Sequence, residues 1–389
     1  MTSLECYIQN MGGDVFTLPL DPSMTINELK HYLCSTPNPF PIQYECEVCL
    51  IMETNANQYT ELVGDTMLAS YGVTHATTLH IVINSIVPGQ LLRTYERESN
   101  HIGTPTTICM HNDELFVTLE HQHQIQVMRA RDGKFLRHYG SGWKSNRPND
   151  FNFPNGICIS SKGELFVADS DNYRIQVLDA STGAYLRTYG AYGKGAGEIM
   201  VSIKICLSPL QDELFIADFF NHRIQVWSAS TGEYLRSYGG DEQDGQERKY
   251  RYPRGVHVTA DNKLYIIADD MIHVVNVSDG TMLSVHENPV FSNLSCICVS
   301  QGIMFIADSS HHCIMMIHES DSKLLYVYGK NPLVTSPSPH KWIDADFHNP
   351  SGIMISTKNE LYVADTFNDR IQVFHIPEIM TVDNIQSSA

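Results

Sequence analysis

Three carboxylate–guanidinium pairs are the first candidates for chemistry: Asp169 with Arg174, Asp218 with Arg223 and Asp365 with Arg370, each five residues apart. An acid beside a fixed cation could move protons or bind a charged substrate. An active site is normally built once, whereas these pairs sit in three similar phrases, "ELFVADSDNYRIQV", "ELFIADFFNHRIQV" and "ELYVADTFNDRIQV". The repetition favours structure, with carboxylate and guanidinium satisfying turn backbone groups and each other. Histidine is abundant, and His121, His123, His257, His311 and His312 invite a metal reading. Structural and catalytic zinc need three or four converging ligands, and no spacing here sets that up. Cys46 and Cys49 form a CxxC without a second pair. Gly193-Lys194-Gly195-Ala196-Gly197 has the look of a phosphate loop, but no helix follows it, and a flexible loop between repeats explains it better. No nucleophile elbow or P-loop occurs. The expectation is a non-enzymatic chain with no catalytic residue, no metal and no cofactor.

The elements that hold these residues follow from an internal repeat. Aligned on the "AD" step, Asp169, Asp218, Asp269, Asp308 and Asp365 mark five units, and "ELFVTLEHQHQIQV" supplies a sixth with Leu119 at the Asp position. Within one unit "GICIS", "ELFVAD", "RIQVLDA" and "YLRTYG" are short β-branched and aromatic runs separated by the turn signals "SKG", "SDNY" and "STG". That is a four-stranded antiparallel meander, repeated six times. A row of six such sheets would expose its first and last edges, whereas radial closure protects them. The closing phrase missing from the last unit stands alone as "LLRTYE" at 91–96, so the spacing predicts a six-bladed β-propeller in which this N-terminal strand completes the last blade beside "RIQVFHI" at 370–376.

The pattern "PxGI…ELFVADxxNxRIQV…GxxLRxYG" resembles the NHL repeat, and the resemblance covers residues 91–376. It is strongest in the units containing Arg174, Arg223 and Arg370. The first unit has Gln124 in place of the Arg, the fifth has Cys313, and the fourth has lost about three residues of its turn before Ile272. Six-bladed NHL propellers are what the resemblance implies. Such propellers sit behind a RING in tripartite-motif ubiquitin ligases, some bind single-stranded RNA, and one occurs in the metal-binding peptidylglycine amidating lyase. This chain carries no RING and none of the lyase's histidine motifs.

Residues 1–84 do not repeat and read β-β-α-β-β: "LECYIQN", "VFTLPL", a helix opening at "PSMTINELKHYL" with a Thr25–Glu28 capping box, "YECEVCLIM" and "TLHIVIN". The phrases "TLPLDPSMTINELK" and "TMLASYGVTHATTLHIVIN" resemble ubiquitin, which implies a small α+β ubiquitin-like β-grasp domain. The chain runs on through "VINSIVPGQ" instead of ending in a free Gly-Gly, so the domain is read as integral to the protein and not as a tag. The family's apolar binding patch would fall on Met11, His80 and Val82, with Cys49 or Ile51 as a further member. Nine acidic residues in 1–85 face one basic residue, Lys30, and the whole chain has a net charge of −18, which disfavours long-range attraction to nucleic acid or anionic membrane.

At 389 residues the chain has room for roughly two to three domains. The boundaries read 1–84 for the ubiquitin-like domain, 85–90 for a short linker, 91–376 for the propeller and 377–389 for a tail. No run approaches the ~20 apolar residues of a membrane helix, no basic-then-apolar leader opens the chain, and the scattered cysteines Cys109, Cys158, Cys206 and Cys298 read as small buried hydrophobes of a reducing compartment. The expected location is the cytoplasm, with the nucleus as the other compartment of this kind.

The connections from each outer strand to the next inner strand should open on the same face as the Asp/Arg turns. Three of them, "SGWKSNRPNDFNFP", "GDEQDGQERKYRYPR" and "KNPLVTSPSPHKWIDADFHNP", are long and rich in Trp, Tyr and Arg. They would gather Trp143, Arg147, Arg248, Tyr250, Arg251, Tyr252, Arg254 and Trp342 around one rim, joined by the turn aromatics Tyr173, Phe219, Phe220 and Phe367. Aromatic and Arg residues on loops suit a binding surface. The expected partners are a protein or peptide on this face and ubiquitin-system proteins on the N-terminal domain. RNA is the alternative ligand, suggested by "RKYRYPR", and a metal-dependent lyase is a third reading.

Overall fold

The repeated phrases form hairpins whose side chains are buried on both faces of the sheet. Glu164–Asp169 pairs antiparallel with Arg174–Asp179, and the register sets Asp169 opposite Arg174. Leu165, Phe166, Val167, Ile175, Val177 and Leu178 are all fully buried, because the sheet is covered on both faces by its neighbours. The computed structural model describes residues 90–96, 102–240, 249–289, 291–329 and 345–376, and only the backbone of the strands at 4–9, 15–20, 46–55, 58–62, 79–85 and 341–343.

Six such sheets follow in order. Blade 1 consists of Pro105–His111, Glu114–Leu119, Gln124–Arg129 and Phe135–Tyr139. Blade 2 is built from Pro154–Ile159, Glu164–Asp169, Arg174–Asp179 and Tyr185–Tyr189. Blade 3 has Ser202–Leu207, Glu213–Asp218, Arg223–Ser228 and Tyr234–Gly239. Blade 4 has Gly255–Val258, Lys263–Ala268, Met271–Asn276 and Met282–His286. In blade 5, Leu294–Ser300, Ile303–Asp308, Cys313–His318 and Leu324–Tyr328 are joined by a fifth, parallel strand, Lys341–Ile343. Blade 6 takes Pro350–Ile355, Glu360–Asp365 and Arg370–His375 from the end of the chain and its outer strand, Leu91–Glu96, from the front. Arg370 lies opposite Glu96, and Ile371 opposite Tyr95, so the ring is closed by an N-terminal strand. The inner strands contact one another from blade 1 round to blade 6 and back to blade 1, which makes the architecture a six-bladed β-propeller.

Between each pair of blades lies a separate apolar cluster. Phe116, Phe151 and Ile157 join blades 1 and 2, Trp227 with Phe166 joins blades 2 and 3, and Phe347 with Phe374 joins blades 5 and 6. A second tie repeats toward the outside. Arg137 grips Glu114 of its own blade at 2.9 and 2.6 Å and donates to Ala180 O of blade 2, where Tyr139 Oη also donates at 2.6 Å. Arg187 with Tyr189, and Arg236 with Tyr238, do the same for the next two blades. Tyr95 donates to Ala130 O, tying blade 6 to blade 1. The "LR-x-Y" of the repeat is therefore the element that bolts neighbouring blades together.

One expectation changes. Blade 4 does not place Asp269 at the repeated Asp position. Lys263 pairs with Asn276 and Ala268 with Met271, so Ala268 occupies that register. Asp269 and Asp270 instead form a two-residue hairpin with φ of 52° and 57°, the conformation of a tight primed turn. The Gly193–Gly197 segment lies, as expected, in the connection between blades 2 and 3 and not before a helix. It is bracketed by the short parallel pair Ala191–Tyr192 and Glu198–Ile199, and Gly195 N donates to Glu198 Oε2 at 2.8 Å.

The contacts of the chain divide it into two units, Met1–Pro88 and Gly89–Ala389. In the first, Leu4–Gln9 and Val15–Leu20 form an antiparallel hairpin, and Cys46–Asn55 runs antiparallel to both Gln58–Leu62 and Leu79–Ser85. The helix expected from Pro22 onward lies outside the described residues, as does the tail from 377.

Candidate functional site

The face carrying the second-to-third-strand turns and the blade-to-blade connections, here called the top face, is held by the Asp/Arg pairs. Asp218 is fully buried and accepts four hydrogen bonds: Met200 N at 3.0 Å, Asn221 Nδ2 at 2.8 Å, Arg223 Nε at 2.9 Å and Gln225 Nε2 at 2.9 Å. The donors also reach outward. Arg223 Nη2 donates to Gly195 O and Glu198 O, both at 2.8 Å, and Asn221 Nδ2 donates to Gly193 O at 2.9 Å. Asp169 and Asp365 repeat the arrangement, the first clamping the connection at 145–152 and the second the one at 346–348. These pairs are loop clamps whose carboxylates and guanidiniums are taken up by turn and connection groups, and no substrate atom needs to be invoked to explain them.

The histidines also have local duties. His311 Nδ1 lies 2.9 Å from Asp308 Oδ2, filling the place that Asn172, Asn221 and Asn368 take in the clamped blades, while the Arg position holds Cys313. Among the described residues no three His, Cys, Asp or Glu side chains converge in a way that could hold a metal ion. Inner-strand His257 is held well below the ordinary imidazole range, at about 4, by burial, against a backbone hydrogen bond with Val299. Burial likewise pushes the thiol of Cys109 upward, and that of Cys206 to about 11, so these are inert packing groups as the sequence suggests.

The propeller axis is closed by a lysine that sequence reasoning did not single out. Lys204, on the inner strand of blade 3, is 6% exposed, and its Nζ donates to Thr107 Oγ1 at 2.5 Å, to Thr106 O at 3.2 Å and to Asn155 Oδ1 at 3.2 Å. It thus spans from blade 3 to blades 1 and 2. Asn155 Nδ2 in turn donates to Glu120 Oε2 at 3.1 Å, and burial raises the Glu120 carboxyl. All three ammonium protons have acceptors, which makes Lys204 a bolt across the axis.

The predicted rim residues fall into four groups. Trp143 is 79% exposed, and Arg147 lies exposed on the same connection, whose backbone is clamped by Arg174. Tyr173 is half-buried and meets Tyr192 edge-on, with centroids 4.7 Å apart. At the junction of blades 3 and 4, Phe219, Phe220 and Tyr252 form one cluster, with Phe219 4.9 Å from Phe220 and 5.1 Å from Tyr252. The Arg254 guanidinium lies 5.8 Å from the Phe219 ring centroid and donates to Asn293 Oδ1. Arg251 is exposed beside Asp269 at 3.9 Å. Phe367, 56% exposed, packs edge-on against His348 near blade 6.

Tyr250 departs from the expectation of an exposed rim. It is 1% exposed, packed among Tyr238, Val256 and Ala268 between blades 3 and 4, and burial pushes its hydroxyl up to about 12. Gly239, at φ 80°, leaves the room its ring fills. Trp342 lies on a strand and not in an open loop, its backbone paired with Val327. Arg248 and Met11 lie outside the described residues. His80 and Val82 are on Leu79–Ser85, opposite Ile51 and Cys49 respectively.

Comparison with known families agrees with this geometry where it reaches. The model of the NHL repeat matches residues 151–178, which is most of blade 2 with its Asp169–Arg174 clamp. A search of curated proteins finds no match to the chain. No helix among the described residues is long and apolar enough to cross a membrane.

Proposed function

We propose that the protein is a non-enzymatic adaptor whose propeller top face binds a protein or peptide. An NHL-type propeller fits an interaction scaffold in general. The observation that carries the finer reading is the set of large exposed aromatics on clamped top-face elements: Trp143, Phe220, Tyr252 and Phe367. Aromatic side chains held on rigid backbone lose little entropy on binding and serve as anchors in partner pockets. The N-terminal unit, read as ubiquitin-like, would dock to a receptor of the ubiquitin system, and the cytoplasm is the compartment proposed for both contacts.

The test is quantitative affinity capture with the full chain, a Trp143→Ala/Phe220→Ala/Tyr252→Ala variant and a Met11→Ala/Val82→Ala variant, all checked for equal folding. Loss of one partner set with the first variant and of ubiquitin-system proteins with the second supports a two-ended adaptor. Identical captures from all three proteins would remove it. RNA binding is the second reading, motivated by Lys249, Arg251 and Tyr252 on one short segment. Asp269, Asp270 and Glu287 on blade 4 and the connection after it supply as many negative charges as Lys249, Arg251 and Arg254 supply positive ones. Salt-dependent retention of single-stranded RNA that disappears with Arg251→Ala/Tyr252→Ala would favour RNA over a peptide.

A further inference from the structure

Three histidines perform the same unusual task. His123, His222 and His312 end the second-to-third-strand turns of blades 1, 3 and 5, all with left-handed backbones at φ 55°, 55° and 54°. The ring Nδ1 of each accepts the backbone N–H of a residue in the following blade-to-blade connection, 3.1 Å from Phe153, 3.1 Å from Tyr252 and 3.1 Å from Asn349. Those three residues are themselves left-handed, at φ 51°, 49° and 56°, and each directly precedes a proline that leads into the next inner strand. Ring contacts reinforce two of the latches: His123 meets Phe153 edge-on at 4.9 Å, and His222 meets Tyr252 at 4.4 Å. Blades 2 and 6 have Tyr173 and Asp369 at this place, and blade 4 has only its two-residue hairpin. The latch therefore joins blade 1 to 2, 3 to 4 and 5 to 6.

An imidazole nitrogen accepts a hydrogen bond only while it carries no proton, so each latch requires the neutral ring with its proton on Nε2. Adding one proton turns the acceptor into a donor that faces the amide N–H. We propose that the three junctions are proton-operated latches: acidification protonates His123, His222 and His312, releases the amides of Phe153, Tyr252 and Asn349, and loosens the connections that carry the top-face aromatics.

The surroundings set the direction. Around His123 stand His121 and Lys144, which oppose protonation, and Asp171 and Asp169, which favour it, while burial is the largest influence and lowers its affinity for a proton. His222 is 4% exposed and in contact with Tyr252; it directly precedes Arg223 of the Asp218–Arg223 pair, and Arg254 faces the Phe219 ring of the same turn. His312 lies edge-on to His348 at 5.3 Å, next to the Asp308–His311 pair. For His123 the lowered affinity in the folded state means that the latch is intact above about pH 6.5, the ordinary value, and is lost as pH falls below it.

The experiment is amide hydrogen exchange of the full chain between pH 7.5 and 5.0, corrected for intrinsic exchange, read at Phe153, Tyr252 and Asn349. Asparagine tolerates the left-handed backbone and offers Oδ1 as an acceptor that does not titrate, so the comparison is His123→Asn/His222→Asn/His312→Asn. Protection in the native chain should fall about tenfold per pH unit once the rings begin to protonate. In the triple variant it should stay level, and the core amides of Phe166 and Phe215 should not change in either protein. Should the triple variant not fold, His222→Asn read at Tyr252 alone makes the same comparison. Protection independent of pH in the native chain, or an equal fall in the asparagine variant, overturns the proposal.

Discussion

Replacing Asp218 by Ala would expose what the clamps are for. The carboxylate is fully buried and holds four donors, one of them the Arg223 guanidinium, and those donors hold the backbone of the connection between blades 2 and 3 at Gly193, Gly195 and Glu198. Removing one partner of a buried ion pair costs about 3–5 kcal/mol, because the remaining cation and amides keep their desolvation cost without their acceptor. For a unit of this size each kcal/mol lowers Tm by about 2–4 °C, so the expected loss is roughly 6–20 °C. Asp218→Asn keeps one acceptor oxygen for the three side-chain donors and turns an amide toward Met200 N, so its loss should be about half as large. Equilibrium urea unfolding followed by the fluorescence of Trp227, which is wholly buried between blades 2 and 3, gives the free-energy change, and hydrogen exchange at Gly195 reads the loop. If Asp218→Ala shifts Tm by less than ~2 °C, or weakens the protein while leaving exchange at Gly195 unchanged, the clamp account is wrong.

Other perturbations address other parts of the ring. A chain lacking residues 1–96 should aggregate while one lacking residues 1–88 stays folded, since the longer deletion strips blade 6 of Tyr95 and uncovers the edge at Arg370–His375; size-exclusion chromatography separates the two outcomes. Gly183→Ala should cost about 2–3 kcal/mol in urea, because Gly183 has φ 73° and an added Cβ would run into the Tyr139 ring of the preceding blade. His257 titrates at about 4 when folded against about 6.5 when unfolded, so its contribution is complete above pH 6.5 and is lost as pH falls toward 4. At pH 5 that loss is about 1–2 kcal/mol, and His257→Gln should flatten this part of the stability curve.

Much of the architecture can be read in the sequence because the signals are local and repeated. Turn residues and β-branched runs recur about every fifty residues, and the stray "LLRTYE" can pair only with an unfinished last blade. The Asp–Arg clamps are legible for the same reason, since both partners lie in one hairpin. Long-range features are not. Tyr250 looks like a loop aromatic because nothing nearby in sequence reveals the pocket left by Gly239 and lined by Tyr238 and Val256. Ala268 takes the register position in blade 4 because the shortened turn slides the "AD" step by one residue, and only the pairing with Met271 shows it. The histidine latches had a faint signal, a histidine directly before the third strand in "QHQIQV", "NHRIQV" and "HHCIMM", but their partners lie 30 to 37 residues further on.

The latches and the axis share a rhythm that the single-blade repeat conceals. Blades 2, 4 and 6 enter their inner strands through Pro-x-Gly, with Gly156, Gly255 and Gly352, whereas blades 1, 3 and 5 place Thr107, Lys204 and Cys296 at the corresponding position. At Gly156 an added Cβ would stand 2.9 Å from Lys204 Cα and 2.8 Å from Ile203 O, so this glycine lets the strand carrying Lys204 approach closely enough for its side chain to reach blade 1. Gly352 likewise stands against Thr106 and Thr107 of blade 1, so at these two places the glycine of one pair of blades admits the inner strand of another, and the histidine latches tie the two members of each pair. Six similar blades thus carry a two-blade rhythm in their latches and glycines, around an axis bolted by one lysine. Lys204→Met should therefore weaken the association of the pairs, costing the hydrogen bonds to Thr106, Thr107 and Asn155, while leaving the latched junctions inside each pair intact.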